Sequence, residues 1–385
     1  MAQAPLVEPS PTLEPARLAR YSRQLTLPSF DEVAQRRLAN ARVLVIGAGG
    51  LGSAAVPYLA SAGVGTIGIA DTDIVELSNL HRQIVHGISD VGRSKLDSIA
   101  DSIAAIDPEI TINKHSIRLD SSNILGVLSD YDLLVDGSDN FPTRYLANDA
   151  ASLSHKPLVW GAILQFGGQV GVSWAGVGPT YRDLFPVPPS PGDIPNCEVG
   201  GVLPGVCATI GSLMATEVLK IITGIGDSLI GRVTTYDAFS GRFRELEYQA
   251  DPSAAPVTEL IDYQAFCGIT PNATASVDSL SAEVTAVELA ELLSSGTEIQ
   301  VIDIRETFER EIAAILPSTF IPLGTIPENL GEIRTDVPVV LYCHHGSRSA
   351  RALGFLQANG MTNVSHLVGG IDAYSRLVDS SLQRY

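Results

Sequence analysis

Two stretches of this 385-residue chain gather residue types that do chemistry at short spacing. In the first, Asp71 and Asp73 precede Ser78, Asn79, Leu80, His81 and Arg82. Lys95 follows, with Asp139 and Asn140 further on. Cations and amides set among carboxylates suit a highly charged anion. Arg and Lys neutralise phosphate oxygens, and an acid such as Asp139 offers Mg²⁺ one or two oxygen contacts. Taken singly, each of these is a solvated surface group. In the second stretch, Cys343 directly follows the apolar run Val339–Tyr342 and precedes His344, His345, Gly346 and Arg348. Loop N–H groups and a helix N-terminus favour negative charge on such a sulfur and stabilise a persulfide; Arg348 adds a cation. The bland alternative is a buried structural cysteine. A third candidate, Cys197, ends the proline-rich stretch 179–197, and reads either as a nucleophile or as an exposed thiol.

The elements that must hold these groups are legible around them. The apolar run 42–47 reads as a strand, and the glycines Gly47, Gly49, Gly50 and Gly52 lead into a helix over 51–62. Gly47 lets the chain turn sharply, Gly49 and Gly50 admit N–H groups to an anion, and Gly52 lets the helix pack close. The next strand, 66–71, ends at Asp71, where a ribose-binding acid falls in such a unit. A helix over 93–104 and strands over 110–115 and 132–136 continue the alternation, which predicts an α/β fold with a mostly parallel sheet. From Pro157 the pattern shifts to strands at 157–163, 168–174, 232–238 and 243–248, plus a helix over 207–223. A smaller α/β unit follows, with a helix over 285–293 and strands over 299–303, 339–343 and 363–368.

Length allows two domains, each with its own core. The expected division is a mobile tail over 1–19, a first domain over 20–268, a polar linker over 269–283 and a second domain over 284–385. Asp and Glu outnumber Lys and Arg by 43 to 25, a net charge of −18. Such a balance argues against nucleic acid or an anionic membrane as partner. The start of the chain has no basic, apolar signal pattern, and no uninterrupted apolar run reads as long enough to span a bilayer. Four scattered cysteines, Cys197, Cys207, Cys267 and Cys343, include no C-x-x-C pair. That spacing speaks for a reducing cytoplasm and against a disulfide framework or a four-thiolate zinc site. Cys207 and Cys267 read as apolar packing.

Together, G-A-G-G-L-G, D-x-D-x-V-x-x-S-N-L-x-R-Q, G-R-S-K and S-D-N resemble the MoeB/ThiF family of adenylating enzymes, which is related to the ubiquitin-activating enzymes. The resemblance spans about 20–248 and includes Arg20–Gln24. It implies a Rossmann-like domain in which Gly50 and Asp71 hold ATP, and Asn79, Arg82 and Lys95 hold its phosphates. Asp139 would serve Mg²⁺, and Arg23 would reach the site of the partner subunit in a homodimer. Many members bind structural zinc through two C-x-x-C pairs. Here the corresponding places read Thr180–Asp183 and Asp251–Pro256, so no zinc is expected. Over about 284–380, the Cys343 loop, Val301–Glu306 and Leu367–Tyr374 resemble a rhodanese domain. The usual G-H-I-P-G-A segment of that domain is only weakly matched by Ala313–Ser318.

The resemblance implies adenylation of the C-terminal glycine of a ubiquitin-like sulfur carrier ending in Gly-Gly. A Cys343 persulfide, loaded by a donor such as thiosulfate or a cysteine desulfurase, would then make a thiocarboxylate, with Cys197 resolving an acyl disulfide. The carrier could serve molybdopterin, thiamine or cysteine biosynthesis. Three alternatives stay open: a non-catalytic rhodanese-like docking module, an NAD or FAD oxidoreductase, and a transferase acting on tRNA.

Overall fold

A computed structural model describes residues 4–189, 200–268 and 282–385. The chain divides into two compact units, Met1–Thr270 and Pro271–Tyr385.

In the first unit, β1 (Arg42–Ile46), β2 (Thr66–Ala70), β3 (Thr111–His115), β4 (Leu133–Asp136) and β5 (Leu158–Leu164) pair in parallel, in the order β3-β2-β1-β4-β5. Helices cover both faces of these strands, so β1 and β4 are buried almost throughout and read as continuous apolar runs. The sheet then continues antiparallel through β6 (Gly167–Ser173), β7 (Arg232–Asp237) and β8 (Arg242–Glu247). Every residue of β8 is exposed, and its charges blunt the open edge. The strand order reverses between β1 and β4, and a crevice opens beyond their C-terminal ends, where ligands of doubly wound sheets bind.

Helix Pro204–Thr223 lies against helix Gly50–Ala62. A Cβ on Gly211 would come 2.6 Å from the Ala54 side chain and 2.9 Å from Leu51 O, so only glycine permits this approach. Sequence inspection found no run long enough to cross a bilayer, yet this helix reaches that length and hydropathy. Its apolar side chains, among them Val206, Ile210, Met214, Val218 and Ile222, are fully buried in the core of the first unit.

The segment expected to be a free tail is instead packed. Leu6 N donates to Ile221 O, Val7 is buried, and Pro15–Arg20 is helical. Arg17 Nη1 grips both oxygens of Asp107, at 2.9 and 2.7 Å, while Asp107 is 1% exposed. A buried carboxylate needs a cation, and this segment supplies it.

The second unit is a parallel sheet in the order β11-β10-β12-β13-β9, from β9 (Glu283–Val284), β10 (Gln300–Asp303), β11 (Thr319–Phe320), β12 (Val339–Tyr342) and β13 (Val364–Leu367). Apolar clusters on its two faces form separate cores. Most of the proposed linker lies outside the described residues. Glu283, counted with it, already belongs to a strand, because β9 pairs with the edge of β13.

Candidate functional site

The glycine turn after β1 forms the floor of the crevice. Gly47 sits at φ +89°, a left-handed conformation that glycine adopts without strain. A Cβ on Gly52 would overlap the carbonyl oxygen of Gly47, so the helix reaches the loop only because Gly52 has none. Asp71 closes the turn from outside: its carboxylate accepts from Ala48 N and from Asp73 N, both at 2.7 Å. The acid expected to meet a ribose therefore holds the glycine loop in shape.

Gly47, Gly49, Gly50, Asp71, Asn79, Arg82, Lys95, Asp139 and Asn140 all line the crevice. Lys95 is nearly buried and pairs with Asp73 at 2.8 Å. Arg82 donates to Ser78 O at 3.0 Å and meets His81 Nε2 at 2.8 Å. Burial and the neighbouring guanidinium hold His81 below the usual histidine range, so its ring accepts this bond. Asn79 shapes the turn by accepting from Glu76 N. Asn140 caps helix Phe141–Leu153 by accepting from Thr143 N, beside exposed Asp139. Ser78, Leu80, His81 and Gly52 stand behind or beside the lining, and Arg23 is exposed, away from its own chain's crevice.

Two further polar residues, Arg144 and Gln83, line the crevice without a role expected from the sequence. Arg144 is 7% exposed, and its Nε lies 3.9 Å from the buried Asp136 carboxylate. That Nε and Gln83 Oε1 are buried without a hydrogen-bond partner among the described residues. Buried polar atoms without partners in a crevice wall fit a polar, charged ligand. The signal for Arg144 was its place four residues after the S-D-N segment.

The Cys343 loop is built by backbone contacts. Gly346, at φ +96°, donates its N–H to Cys343 Sγ at 3.1 Å and starts helix Ser347–Ala358. Ile371 N and Asp372 N bond the carbonyls of Cys343 and His344, at 2.9 and 3.1 Å. A Cβ on Gly370 would strike those same carbonyls, and one on Gly369 would come 2.6 Å from the Ala373 side chain, which explains the glycine pair at 369–370. With its carbonyls turned away and held, the loop presents the Gly346 N–H to the sulfur. Cys343 itself is fully buried. Arg348, expected as a free cation for the sulfur, is instead clamped by both oxygens of buried Glu309 at 2.6 Å. The Asp303–Arg305 signature is a fully buried ion pair, with Tyr342 OH donating to Asp303 Oδ2 at 2.8 Å. It fixes the end of β10 and the loop leading to Glu309.

A model of the ThiF family matches residues 21–257, more than half of the chain. The chain belongs to the ThiF family. In this ThiF-family chain a rhodanese-like domain matches residues 285–377. It is 47% identical to the probable adenylyltransferase/sulfurtransferase MoeZ of Mycobacterium tuberculosis, over 99% of this chain and 98% of the relative. It is 40% identical to the adenylyltransferase and sulfurtransferase MOCS3 of Drosophila yakuba, over 96% of this chain and 85% of the relative. Among solved structures, E. coli MccB with MccA-N7isoASN matches with a TM-score of 0.56 at 20% identity, over 62% of this chain and 74% of that one. That likeness is one of fold. This ThiF-family chain is an enzyme that joins adenylyl transfer to sulfur transfer.

In this ThiF-family chain the segments Thr180–Asp183 and Asp251–Pro256 meet through a hydrogen bond, Asp251 N to Asp183 Oδ1 at 2.9 Å. Cys207 and Cys267 are buried; Cys207 Sγ backs Gly50, and Cys267 borders the crevice. Cys197 lies outside the described residues, as does most of its loop. Phe185, Val187 and Pro189, which precede it, line the crevice.

Proposed function

We propose that the enzyme activates the C-terminal glycine of a ubiquitin-like sulfur carrier with ATP and converts it to a thiocarboxylate. The observation that carries this reading is one polypeptide holding both a crevice lined by Arg82, Lys95, Asp139 and Arg144 and a buried cysteine whose sulfur accepts the Gly346 N–H. In the crevice, the carrier's carboxylate attacks the α-phosphorus of ATP and pyrophosphate leaves. The protein's work is to hold two anions in line and spread the developing charge over cations and N–H donors. Asp139 is the residue suited to hold Mg²⁺, which would neutralise phosphate charge. Arg23 is assigned to the crevice of a second copy in a homodimer.

In the second unit, the outer sulfur of a Cys343 persulfide attacks the acyl-adenylate carbonyl and AMP leaves. Cys197 thiolate then attacks the acyl disulfide at the Cys343 sulfur. That step releases the thiocarboxylate and leaves a Cys197–Cys343 disulfide, which an external thiol reduces. Thiosulfate or a cysteine desulfurase serves as sulfur donor, and the cytoplasm is the setting. Carrier-dependent ATP–pyrophosphate exchange tests the first half. Arg82→Ala or Asp139→Ala should lower it at least about a hundredfold, the size of effect a lost transition-state contact gives. Exchange at the normal rate in both variants would remove the crevice from the reaction.

A further inference from the structure

Cys343 and Ser349 are fully buried, and His366 is 7% exposed. A buried thiol is poorly placed to give its proton to bulk water, and a protein group that receives it favours the nucleophilic thiolate. The side chain that reaches Sγ is that of Ser349, with Oγ at 3.6 Å. The single proton of this hydroxyl has two acceptors within reach: Gly346 O at 3.0 Å and His366 Nδ1 at 3.4 Å. Beyond the ring, His366 Nε2 faces Glu283 Oε1 at 4.0 Å, because β9 pairs Glu283 opposite His366 on β13.

We propose that His366, bridged by Ser349, takes the thiol proton of Cys343 and that Glu283 steadies the resulting imidazolium. This rests on the reading of Cys343 as the sulfur-bearing residue. The other titratable groups around the loop are engaged elsewhere. Arg348 and Glu309 clamp each other, and Asp303 is held by Arg305, Arg310 and Tyr342. Asp372 faces Arg376, Arg384 and His345, and His344 stacks between His345 and Tyr385. Around His366 itself, Glu283 is the charged neighbour, Ser349 the hydroxyl, and the facing residue on β12 is apolar Leu341. Burial keeps the ring below the usual histidine range, so it is neutral and ready to accept; Glu283 and a hydrogen bond to the Leu367 backbone oppose that effect.

In the step, the thiol proton moves to Ser349 Oγ as the hydroxyl passes its own to Nδ1. Cys343 becomes a thiolate and His366 an imidazolium. The thiolate then attacks the sulfane sulfur of a donor such as thiosulfate. A new S–S bond forms on Cys343, the donor's S–S bond breaks, and sulfite leaves with the electron pair.

The test is iodoacetamide alkylation of the full-length protein across the acid-to-alkaline range, read at the Cys343 peptide by mass spectrometry. Thiosulfate-dependent sulfur transfer is measured alongside. His366→Gln should alkylate about tenfold more slowly at neutral pH, with its rate rising one unit later, the equivalence of a tenfold change and one pH unit. Ser349→Ala, which keeps the volume and removes the bridge, should do the same, and Glu283→Gln should do less. A lowered unfolding temperature with an unmoved alkylation profile would make His366 a packing residue and overturn the proposal. Should His366→Gln not fold, Ser349→Ala decides by itself. Undiminished sulfur transfer in Cys343→Ser would instead sink the underlying reading, whatever His366 does.

Discussion

Among the glycines of the turn that floors the crevice, Gly52 has the least room to change. The atom its Cβ would strike is the backbone oxygen of Gly47, which cannot move without undoing the left-handed turn. Gly52→Ala should cost about 1–3 kcal/mol of stability, the range for overpacking, and weaken ATP·Mg binding at least about tenfold. Calorimetric titration checks this; unchanged affinity would mean that the loop does not touch the nucleotide. The glycines were legible because they answer to local backbone geometry. Asp71 clasping Ala48 N and Asp73 N was not, since that contact depends on how two strand ends approach each other. Nor was the Glu309 clamp on Arg348, whose partners stand 39 residues apart.

Protonation sets a further residue-scale expectation. Burial, then the neighbouring His345, pushes His344 down to about 4, and burial also lowers His366. Both rings bind a proton more readily in the unfolded chain. Their neutral forms therefore support the fold above the ordinary histidine value, and that support is lost as pH falls from about 6.5 toward about 4. Differential scanning calorimetry should show the second unit melting at lower temperature at about pH 5 than at about pH 7. An equal or higher melting temperature in acid would contradict the burial of these rings.

Among elements, the strands around both sites were readable from their apolar runs, because burial on both faces imposes continuous hydrophobicity. The N-terminal segment was not. Its apolar anchors are few, and what fastens it are contacts far along the chain, Leu6 N to Ile221 O and Arg17 to Asp107 among them. Deleting residues 1–19 should thus destabilise the first unit by about 1–3 kcal/mol rather than leave it unchanged, because buried Asp107 loses Arg17 and keeps Arg20, 3.0 Å away, as its cation. Urea unfolding measures this; an unaltered midpoint would return the segment to the status of a loose tail. Helix Pro204–Thr223 carries a related lesson. By composition alone it fits a bilayer, and only its packing against Gly50–Ala62 assigns it to a core.

At the scale of the molecule, two units with separate cores place a crevice lined by Arg82, Lys95 and Arg144 and the Cys343 loop on one polypeptide. Their order along the chain was legible from two sets of motifs. The Cys197 step was legible only as an expectation, since its loop lies outside the described residues. The hydrogen bond between Asp251 and Asp183 joins the two segments that carry no sulfur where the family resemblance implies C-x-x-C pairs. Metal analysis of the dialysed protein should accordingly return no stoichiometric zinc; one zinc per chain would mean that other ligands were overlooked.

The central claim is that activation in one unit feeds sulfur transfer from the other. Intact mass spectrometry of a Gly-Gly-ended carrier, incubated with the full enzyme, ATP, Mg²⁺ and thiosulfate, tests it most directly. The account predicts the mass gain of one oxygen replaced by sulfur with the native enzyme. With Cys343→Ala it predicts no gain, although carrier-dependent ATP–pyrophosphate exchange persists. A full gain with Cys343→Ala, or no ATP turnover with any such carrier, would contradict it.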